Sequence, residues 1–385
     1  MNPDRLRNSS AGCLIKVGRG ETAYHAFVPN PLPLTLSWDA ELVNALSEAD
    51  RALGELAGLG RHLENPNLLI RPFVRREAVL SSRIEGTQAD LTDLYAYEAG
   101  QSPPPESDVR EVLNYVHALE YGLERLKTLP VSLRLIRELH ERLMEGVHGE
   151  QTKPGEFRDR QNWLGRPDCK LNEAIFVPPP VAVMHEALRE FEQYLHRKCT
   201  YPPLVRIGLI HYQFEAIHPF IDGNGRIGRL LISLLLVHWN LLPLPLLYLS
   251  AYFERHRQNY YDLLLAVSER GTWKEWLLFF LKGVVEQSRD AISKAKQLQD
   301  LQIKWRKRLT ETRASVLLIR LLDYLFTTPL ITIPQAQAHL EVTYPSARVN
   351  IEKLVKAGIL RQVGEISYGK TYIAKEIMEI ISLDE

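Results

Sequence analysis

The chain has 385 residues, of which 45% are hydrophobic, so it is long enough for two or three domains with well-packed cores. Its 47 basic and 47 acidic residues cancel, which excludes a chain-wide electrostatic attraction to nucleic acid or to a membrane surface. Cys13, Cys169 and Cys199 are odd in number and widely spaced, which favours reduced thiols in the cytoplasm. Charged residues interrupt the N-terminus where a signal peptide would be apolar, and prolines interrupt Leu230 to Leu249, where a membrane span would be sought.

The first 105 residues are predicted to form an N-terminal helical region. Residues 1 to 35 are rich in Pro, Gly and Asn and predict an irregular lead, after which helical periodicity begins. A helix is expected over about residues 72 to 86, because Gly86 is a suitable C-terminal cap. Consecutive prolines at 103 to 105 favour a stiff, extended break before the next region.

Residues 106 to 309 are predicted to form a second, mainly α-helical domain. Within it, residues 155 to 177 combine Gly and Asn with short apolar stretches, which predicts a β-hairpin, the one clear strand pair in the first 300 residues. The apolar periodicity predicts helices at about residues 107 to 123, 132 to 147, 181 to 197, 203 to 217 and 272 to 310.

Residues 310 to 385 are predicted to form a third unit. Three helices followed by two strands resemble a winged helix-turn-helix module, in which Ser346 to Ala357 would be the recognition helix. The unit has eight Lys or Arg against nine Asp or Glu, so it lacks the positive charge that supplies most non-specific affinity for DNA. We therefore expect protein docking or homodimerisation through this unit and consider nucleic acid an unsuitable partner.

The stretch from His218 to Arg229 concentrates residues suited to catalysis and to ligand binding. Upstream, apolar residues recur at spacings of three and four and predict a core-facing helix that ends close to His218. Downstream, Leu230 to Val237 is apolar almost without a break, as in a helix buried on nearly all sides. The stretch is thus predicted to be a loop that opens the second helix at its N-terminus, which favours anion binding.

Several residue types in this loop suit a phosphate ligand. Gly223 and Gly225 allow positive φ and a close approach of a phosphate to the backbone. Arg226 and Arg229 lie three residues apart, so both can hold phosphate oxygens from one side of the helix. Asp222 is a hard oxygen ligand suited to Mg²⁺ that carries the phosphates of a nucleotide.

Two further side chains complete the chemistry that the loop predicts. His218 titrates near neutrality and can take a proton from an incoming hydroxyl. Phe220 is expected to pin the loop to the core. Together with the phosphate-binding residues, they predict transfer of a phosphate-bearing group to a hydroxyl.

Two other interpretations of the same residues are weaker. Gly223 to Gly228 also matches the dinucleotide fingerprint G-x-G-x-x-G, but that motif must follow a strand, and here it follows a helix. His211, Glu215 and His218 share a helical face and could bind a metal, although zinc would need another ligand. We expect His211 and Glu215 to form a hydrogen-bonded pair that supports the loop from behind.

The loop is similar to the signature of the Fic family, His-x-Phe-x-Asp/Glu-Gly-Asn-Gly-Arg-x-x-Arg, at every fixed position. The resemblance implies a helical core with a β-hairpin flap, and transfer of AMP from ATP to a Ser, Thr or Tyr hydroxyl of a target protein. It implies that His218 is the catalytic base and that Asp222 binds Mg²⁺. The nucleotide-binding residues that it implies are Asp222, Gly223, Asn224, Gly225, Arg226, Ile227, Gly228 and Arg229 in the loop, Leu164 and Gly165 in the flap, and Tyr260 near the adenine, where a core tyrosine is an equal alternative.

A second motif lies upstream of the loop. The stretch from residue 81 to 86, Ser81-Ser82-Arg83-Ile84-Glu85-Gly86, resembles the inhibitory motif of the same family, Ser/Thr-x-x-x-Glu-Gly/Asn. This resemblance implies that Glu85 competes with a phosphate for Arg229.

In the flap, residues 155 to 177, a target segment could add as a strand by main-chain pairing. Removal of AMP, with Glu85 orienting a water, and a nucleotide-sensing transcription regulator remain alternative functions.

Overall fold

The structure is a computed structural model that describes the chain except residues 1–2, 8, 21–22, 62–65, 101–107, 148–152, 167–168, 312–313, 364–369 and 383–385. The described part is mainly helical, as predicted, with five short strands. In the part of the chain that the structure describes, no helix combines the length and the apolar character needed to cross a membrane.

The N-terminal lead contains a strand pair that the sequence analysis did not predict. After a short helix, α1 (Pro3–Leu6), strands β1 (Gly12–Val17) and β2 (Tyr24–Pro29) pair antiparallel in the register Gly12 to Pro29. The expectation of an irregular lead is therefore wrong, because β-branched and aromatic residues outweigh the turn residues here. The N–H of Phe27 donates to the carbonyl of Val177 at 2.8 Å, so this hairpin also holds the end of the predicted flap.

Three helices follow in the N-terminal region: α2 (Ala40–Arg61), α3 (Asn67–Ile84) and α4 (Leu91–Glu98). Helix α3 is the predicted inhibitory helix, but it begins five residues before Pro72 and includes this proline. The sequence analysis placed the start at about residue 72, so the predicted helix is five residues too short at its N-terminus. At its other end, α3 stops before Glu85, and Gly86 has φ 109°, as its capping role predicted.

Two helices that pack against each other, α8 (Pro203–Ile217) and α9 (Asn224–His238), form the centre of the molecule. Nearly every residue of α8 is buried, and the apolar run from Leu230 to Leu236 on α9 is buried throughout. The long helix α12 (Trp273–Glu311) packs against α8 and against α2, so it connects the N-terminal region to the centre. The helices of this region are α5 (Val109–Arg125), α6 (Leu133–Leu143), α7 (Val181–His196), α8 (Pro203–Ile217), α9 (Asn224–His238), α10 (Ser250–Arg255), α11 (Arg257–Arg270) and α12 (Trp273–Glu311).

Among the described residues of the predicted hairpin, 155–166 and 169–177, the strand pairing is one antiparallel bridge between Leu164 and Phe176. The N–H of Leu164 donates to the carbonyl of Phe176 at 2.8 Å, and the N–H of Ile175 donates to the carbonyl of Leu164 at 2.8 Å. Other backbone groups of the segment bond elsewhere: the N–H of Arg158 donates to the carbonyl of Pro219 at 2.9 Å. Backbone groups of this segment therefore bond neighbouring segments, and its described residues do not form a regular antiparallel ladder.

The C-terminal unit contains the predicted helices and strands, together with strand β3 and helix α16, which were not predicted. Its sheet has the order β3-β5-β4, with both pairs antiparallel. The predicted turn between the last two strands, residues 364–369, lies outside the described residues, and the winged-helix assignment stays a prediction. The elements are α13 (Val316–Leu325), β3 (Leu330–Thr332), α14 (Ile333–Leu340), α15 (Tyr344–Lys356), β4 (Arg361–Val363), β5 (Thr371–Ile373) and α16 (Lys375–Ser382).

The C-terminal unit packs directly on the rest of the chain. Trp305 near the end of α12 is fully buried, and its ring centroid lies 5.7 Å from that of Phe326. The side-chain amide of Gln335 donates to the carbonyl of Glu98, at the end of α4, at 3.1 Å. The last turns of α12 thus contribute to the core of the terminal unit, although the sequence analysis placed a boundary at residue 310.

Candidate active site

The signature loop connects α8 to α9 through two left-handed backbone positions. His218 caps α8 with φ 50° and ψ 61°, and Gly223 caps α9 with φ 79°. For a residue other than glycine this region is sparsely populated and costs about 1 kcal/mol or more. The cost at His218 is offset by its N–H, which donates to the carbonyl of Phe214 at 3.0 Å. The loop therefore fixes the direction of the His218 side chain.

His218 is held in one tautomer. Its Nδ1 lies 3.2 Å from the carbonyl of Glu215, so Nδ1 carries the proton and donates, and Nε2 is left with a free lone pair. Burial, as the largest cause, lowers the pKa of His218 to about 4, so the ring is neutral at pH 7. The side chain lines a cavity and can accept a proton there, as the sequence predicted for a general base.

Arg158 supports His218 from the flap side, a role that the sequence analysis did not predict. Its side chain is 2% exposed, and its Nε donates to the carbonyl of His218 at 3.0 Å. Its Nη2 donates to the carbonyl of Pro179, so the guanidinium links the flap to the loop. Burial lowers the pKa of Arg158 to about 10, which leaves it charged at neutral pH. No spacing in the sequence indicated a buried arginine at this position.

Asn224 stabilises the loop through its side chain. Its Oδ1 accepts a hydrogen bond from the N–H of Phe220 at 2.8 Å, and its Nδ2 donates to the carbonyl of Phe220 at 2.9 Å. The side chain is buried, so it does not point towards a phosphate in this structure. The expected contribution of Asn224 to a phosphate cradle is therefore limited to its backbone, at the first turn of α9.

Phe220 pins the loop to the core, as predicted, and it does so against His140. The two rings stack with centroids 3.7 Å apart and planes 4° apart. The N–H of Gly155 donates to Nδ1 of His140 at 3.0 Å, so Nε2 of this ring donates to the carbonyl of Asp222 at 3.1 Å. Burial lowers the pKa of His140 to about 4, which keeps it in this neutral form. Sequence reasoning missed His140, which falls among the apolar positions of α6.

Arg229 lies buried beneath the first turn of α9 and is held by the inhibitory helix. Its Nε donates to Oγ of Ser81 at 2.9 Å and its Nη2 donates to the carbonyl of Ser81 at 2.9 Å. The same Nη2 lies 2.6 Å from Oε1 of Glu85. Among the described residues, Nη1 has no hydrogen-bond partner. Glu85 therefore engages Arg229 through one nitrogen, and a second buried donor stays available.

The carboxylate of Glu85 lies against Gly225 at the N-terminus of α9. A Cβ on Gly225 would collide with Oε1 of Glu85 and would stand 2.9 Å from Nη1 of Arg229. The first N–H groups of a helix lack internal partners, and the helix dipole favours negative charge beside them. Glu85 thus supplies, from within the chain, the anion that this site favours. Burial acts to lower the pKa of Arg229, but the negative charge of Glu85 and other nearby groups raise it above its ordinary value.

Asp222 and Arg226 lie at a second edge of the loop. Nη1 of Arg226 bonds Oε2 of Glu111 at 2.7 Å, and its Nη2 lies 3.5 Å from Oδ2 of Asp222. The Asp222 side chain is 55% exposed, and its Oδ1 accepts the N–H of Gly223 at 2.6 Å. An exposed carboxylate of this kind suits Mg²⁺, which usually takes one or two carboxylates together with substrate phosphates and waters.

The described residues do not form a metal site from protein groups alone. Over the described ranges, no group of three or more His, Cys, Asp or Glu side chains is arranged to hold an ion. The alternative of a zinc face formed by His211, Glu215 and His218 therefore has no structural support. Helix α9 also follows a helix and not a strand, which removes the dinucleotide-fingerprint interpretation.

A cavity of about 450 Å³ opens beside His218, Gly225 and Arg229, a size typical of small-molecule sites. Its lining includes Glu85 and the three predicted nucleotide-binding residues outside the loop, which are Leu164, Gly165 and Tyr260. Asp222 and Arg226 are not part of this lining, and Ile227 is fully buried in the core. Gly228 leaves room for the carboxylate of Glu215, which a Cβ at that position would meet.

Tyr260 is both a core residue and part of the cavity wall, which are the two positions that the sequence analysis left open. It is 1% exposed, yet it contributes to the cavity wall. Its hydroxyl lies 2.7 Å from Nε2 of His211. The expected hydrogen bond between His211 and Glu215 is therefore wrong, since Tyr260 is the partner of His211. Burial raises the pKa of Glu215 to about 8, and its Oε1 has no hydrogen-bond partner among the described residues.

The fold and the site define a helical protein in which a loop rich in glycine and arginine lies beside a neutral histidine. Residues 43–124 match the Fic/DOC family N-terminal model, and residues 130–236 match the Fic/DOC family model. The chain therefore contains a Fic/DOC family N-terminal domain followed by a Fic/DOC family domain.

Relatives and solved structures agree with this assignment. The chain is 30% identical over 162 residues to "Protein adenylyltransferase Fic" of Drosophila erecta, which covers 41% of this chain and 29% of that protein. It is 31% identical over 141 residues to the protein of the same name from Aedes aegypti, covering 36% and 25%. The match thus spans less than a third of the length of these relatives.

Two solved structures share the fold. A Fic family protein from Desulfovibrio desulfuricans G20 superposes with a TM-score of 0.56 at 19% identity, covering 88% of this chain and 97% of that one. Fic-1 from C. elegans gives a TM-score of 0.52 at 23% identity, covering 66% and 74%. At these identities the likeness supports the fold alone.

Proposed function

We propose that this protein transfers AMP from ATP to a Ser, Thr or Tyr hydroxyl of a target protein. The observation that carries the proposal is that His218 and Arg229 line one cavity, where His218 has no proton on Nε2 and Nη1 of Arg229 has no hydrogen-bond partner among the described residues. One is a base poised for a hydroxyl proton, and the other is a donor for a phosphate oxygen. The relatives named protein adenylyltransferase support the same activity.

The reaction follows from this geometry. The target hydroxyl gives its proton to Nε2 of His218 while its oxygen attacks the α-phosphorus of ATP. A new P–O bond forms, the bond to the β-phosphate oxygen breaks, and pyrophosphate leaves with the electron pair. Proton transfer to a positioned base contributes about 10²–10⁴-fold to such a step. Arg229 and the first turn of α9 stabilise the charge of the distal phosphates.

The cavity also suits the rest of the nucleotide. Tyr260, Leu164 and Gly165 line the same cavity, where an aromatic ring and a residue without a side chain suit the adenine. Asp222 and the phosphates would hold Mg²⁺, which when bound neutralises phosphate charge. We place the target segment along residues 155 to 177, where Trp163 and Ile175 are exposed beside Leu164.

Glu85 is proposed to inhibit the transfer. Its carboxylate takes Nη2 of Arg229 at 2.6 Å and lies on Gly225, where the distal phosphate of ATP would otherwise bind. ATP bound beside this carboxylate would be held with its α-phosphate out of line with the attacking hydroxyl. The resting protein therefore binds nucleotide and transfers slowly.

The proposed activity is tested by following two labels. Incubation with α-labelled ATP is expected to label proteins of a cell lysate, whereas γ-labelled ATP is expected to leave them unlabelled. Transfer of the γ label would indicate phosphorylation and would contradict the proposal, as would no transfer of either label by the Glu85→Gly variant.

The pH dependence of the transfer is expected to reflect the buried state of His218. The base acts in its neutral form, and burial lowers its pKa from 6.5 to about 4. The value of kcat/KM should therefore stay nearly constant from about pH 8 to about pH 6 and fall only as the pH approaches the depressed pKa. Circular dichroism at each pH serves as the control for folding. An inflection near the ordinary histidine pKa would contradict the tautomer and burial described above.

A transcription regulator is the second candidate function, and the charged residues on the exposed face of α15 allow this function to be tested. The exposed face of α15 carries Lys353 and Lys356, whereas Arg348 is paired with Glu352 at 2.8 Å. Because the terminal unit as a whole has a net charge near −1, we propose protein docking or dimerisation as its role.

The full chain is accordingly expected to show no salt-sensitive binding to random duplex DNA at physiological ionic strength. Fluorescence titrations at several salt concentrations measure this, with the double substitution Lys353→Gln and Lys356→Gln as the matched comparison. A steep salt slope that flattens in the double variant would establish a phosphate-binding face and favour the regulator.

A further inference from the structure

Tyr261 connects the nucleotide cavity to the end of the inhibitory helix. Its hydroxyl donates a hydrogen bond to the carbonyl of Ile84 at 3.3 Å. Ile84 is the last residue of α3, and the final carbonyls of a helix have no partner within the helix. The next residue along the chain is Glu85. Tyr261 therefore fixes the backbone immediately before the carboxylate that pairs with Arg229.

Few other contacts hold this helix end. From outside α3, three side chains bond residues 84–86 in the part of the chain that the structure describes: Arg229 bonds Glu85, Tyr261 bonds Ile84, and Gln88 donates to the carbonyl of Gly86 at 3.1 Å. The bonds at Gly86 are local, because Gln88 lies two residues away and the N–H of Gly86 donates to the carbonyl of Arg83 at 3.0 Å. When a phosphate takes Arg229, the bond from Tyr261 is thus the described side-chain bond from a distant part of the chain that still holds the residue next to Glu85.

The ring of Tyr261 is accessible to a ligand in the cavity. The side chain lines the cavity and is 39% exposed, unlike Tyr260, which is 1% exposed and anchored by His211. The ring centroids of the two tyrosines are 5.3 Å apart, and the guanidinium carbon of Arg257 lies 6.0 Å from the Tyr261 ring. A base that stacks in the cavity therefore meets the same side chain that holds α3.

We propose that Tyr261 is a positioning residue that sets the strength of inhibition by Glu85. Its hydroxyl keeps the carboxylate on Arg229 and Gly225, and a planar base against its ring shifts the hydroxyl away from Ile84. Occupation of the cavity by a nucleotide base is thereby coupled to release of the inhibitory carboxylate. The inference rests on the proposed function, because it concerns the inhibition of AMP transfer.

The substitution Tyr261→Phe tests this, because it removes the hydroxyl and keeps the ring. The kcat of AMP transfer is expected to rise about three-fold, the effect of losing one modest hydrogen bond, with the KM for ATP unchanged. In a Glu85→Gly background, Tyr261→Phe is expected to add nothing, since the carboxylate that it positions is gone. Tyr121→Phe is the matched control, because that hydroxyl bonds Glu138 at 2.7 Å.

Hydrogen exchange gives a second readout that needs no turnover. The amides of residues 85–87 are expected to exchange faster in Tyr261→Phe than in the wild type, whereas those of α6 stay unchanged. Unchanged exchange at residues 85–87, or an equal rise in rate with and without Glu85, would overturn the proposal. If neither the wild type nor Glu85→Gly transfers AMP, the proposed function fails, and the exchange rates alone then support or overturn the positioning role.

Discussion

Replacement of His218 by alanine is expected to reduce AMP transfer by about 10²-fold or more, the contribution of a positioned general base. The physical reason is the single tautomer of the ring: Nδ1 donates to the carbonyl of Glu215, and Nε2 faces the cavity without a proton. His218 is the one imidazole among the described residues that line the cavity. The measurement is the initial rate of label transfer from α-labelled ATP.

Binding of ATP by His218→Ala is expected to stay close to that of the wild type, because the donors of Arg229 and of the first turn of α9 are untouched. Equilibrium binding of a fluorescent ATP analogue checks this. His238→Ala, at the other end of α9, is the matched control for loss of an imidazole and should transfer normally. Transfer by His218→Ala at the wild-type rate would contradict the assignment of the base.

Replacement of Glu85 by glycine is expected to raise AMP transfer by ten-fold or more. The substitution removes the carboxylate from Nη2 of Arg229 and from Gly225, so the distal phosphates can bind there and align the α-phosphate. A charge-assisted contact of this kind contributes about 1.5–3 kcal/mol, and each 1.4 kcal/mol corresponds to about ten-fold in rate. Because Glu85 stands at the end of α3, glycine there leaves the helix body intact.

Two further variants sharpen this test. Glu85→Asp keeps the charge but shortens the reach, so it is expected to release inhibition in part. Glu341→Gly is the matched control, because Glu341 also caps a helix and has φ 58°, a conformation that glycine adopts readily. A rate that falls or stays unchanged in Glu85→Gly would show that this carboxylate does not inhibit. If the variant gains transfer but no longer releases AMP from modified protein, Glu85 also serves the reverse reaction.

The signature loop was the most predictable part of the site. Its fixed residues lie within twelve positions, so their proximity follows from the chain itself, and the apolar runs on both sides place the loop between buried helices. The ion pair of Glu85 with Arg229 was also expected, although from a family resemblance and not from spacing. Glu85 engages Nη2 of Arg229 alone, while Nε and the same Nη2 also donate to Ser81.

The supports of the loop were not predictable from the sequence. Arg158 and His140 act through contacts with backbone carbonyls about 60 and 80 residues away, and no local pattern encodes such pairs. The flap was predicted as a regular hairpin because turn residues separate two short apolar stretches. Its backbone groups instead bond the loop and strand β2, which lie close only after folding.

The sequence by itself determined the helical class, the buried helix pair α8 and α9, and the chemistry of the loop between them, because these depend on apolar periodicity and on residues close in the chain. Only the tertiary structure decided which groups in the loop are free to act. It engages the Asn224 side chain with Phe220, leaves Nη1 of Arg229 unpaired among the described residues, and directs the His218 lone pair into the cavity. These states depend on burial and on hydrogen bonds between distant segments, which exist only once the chain has folded.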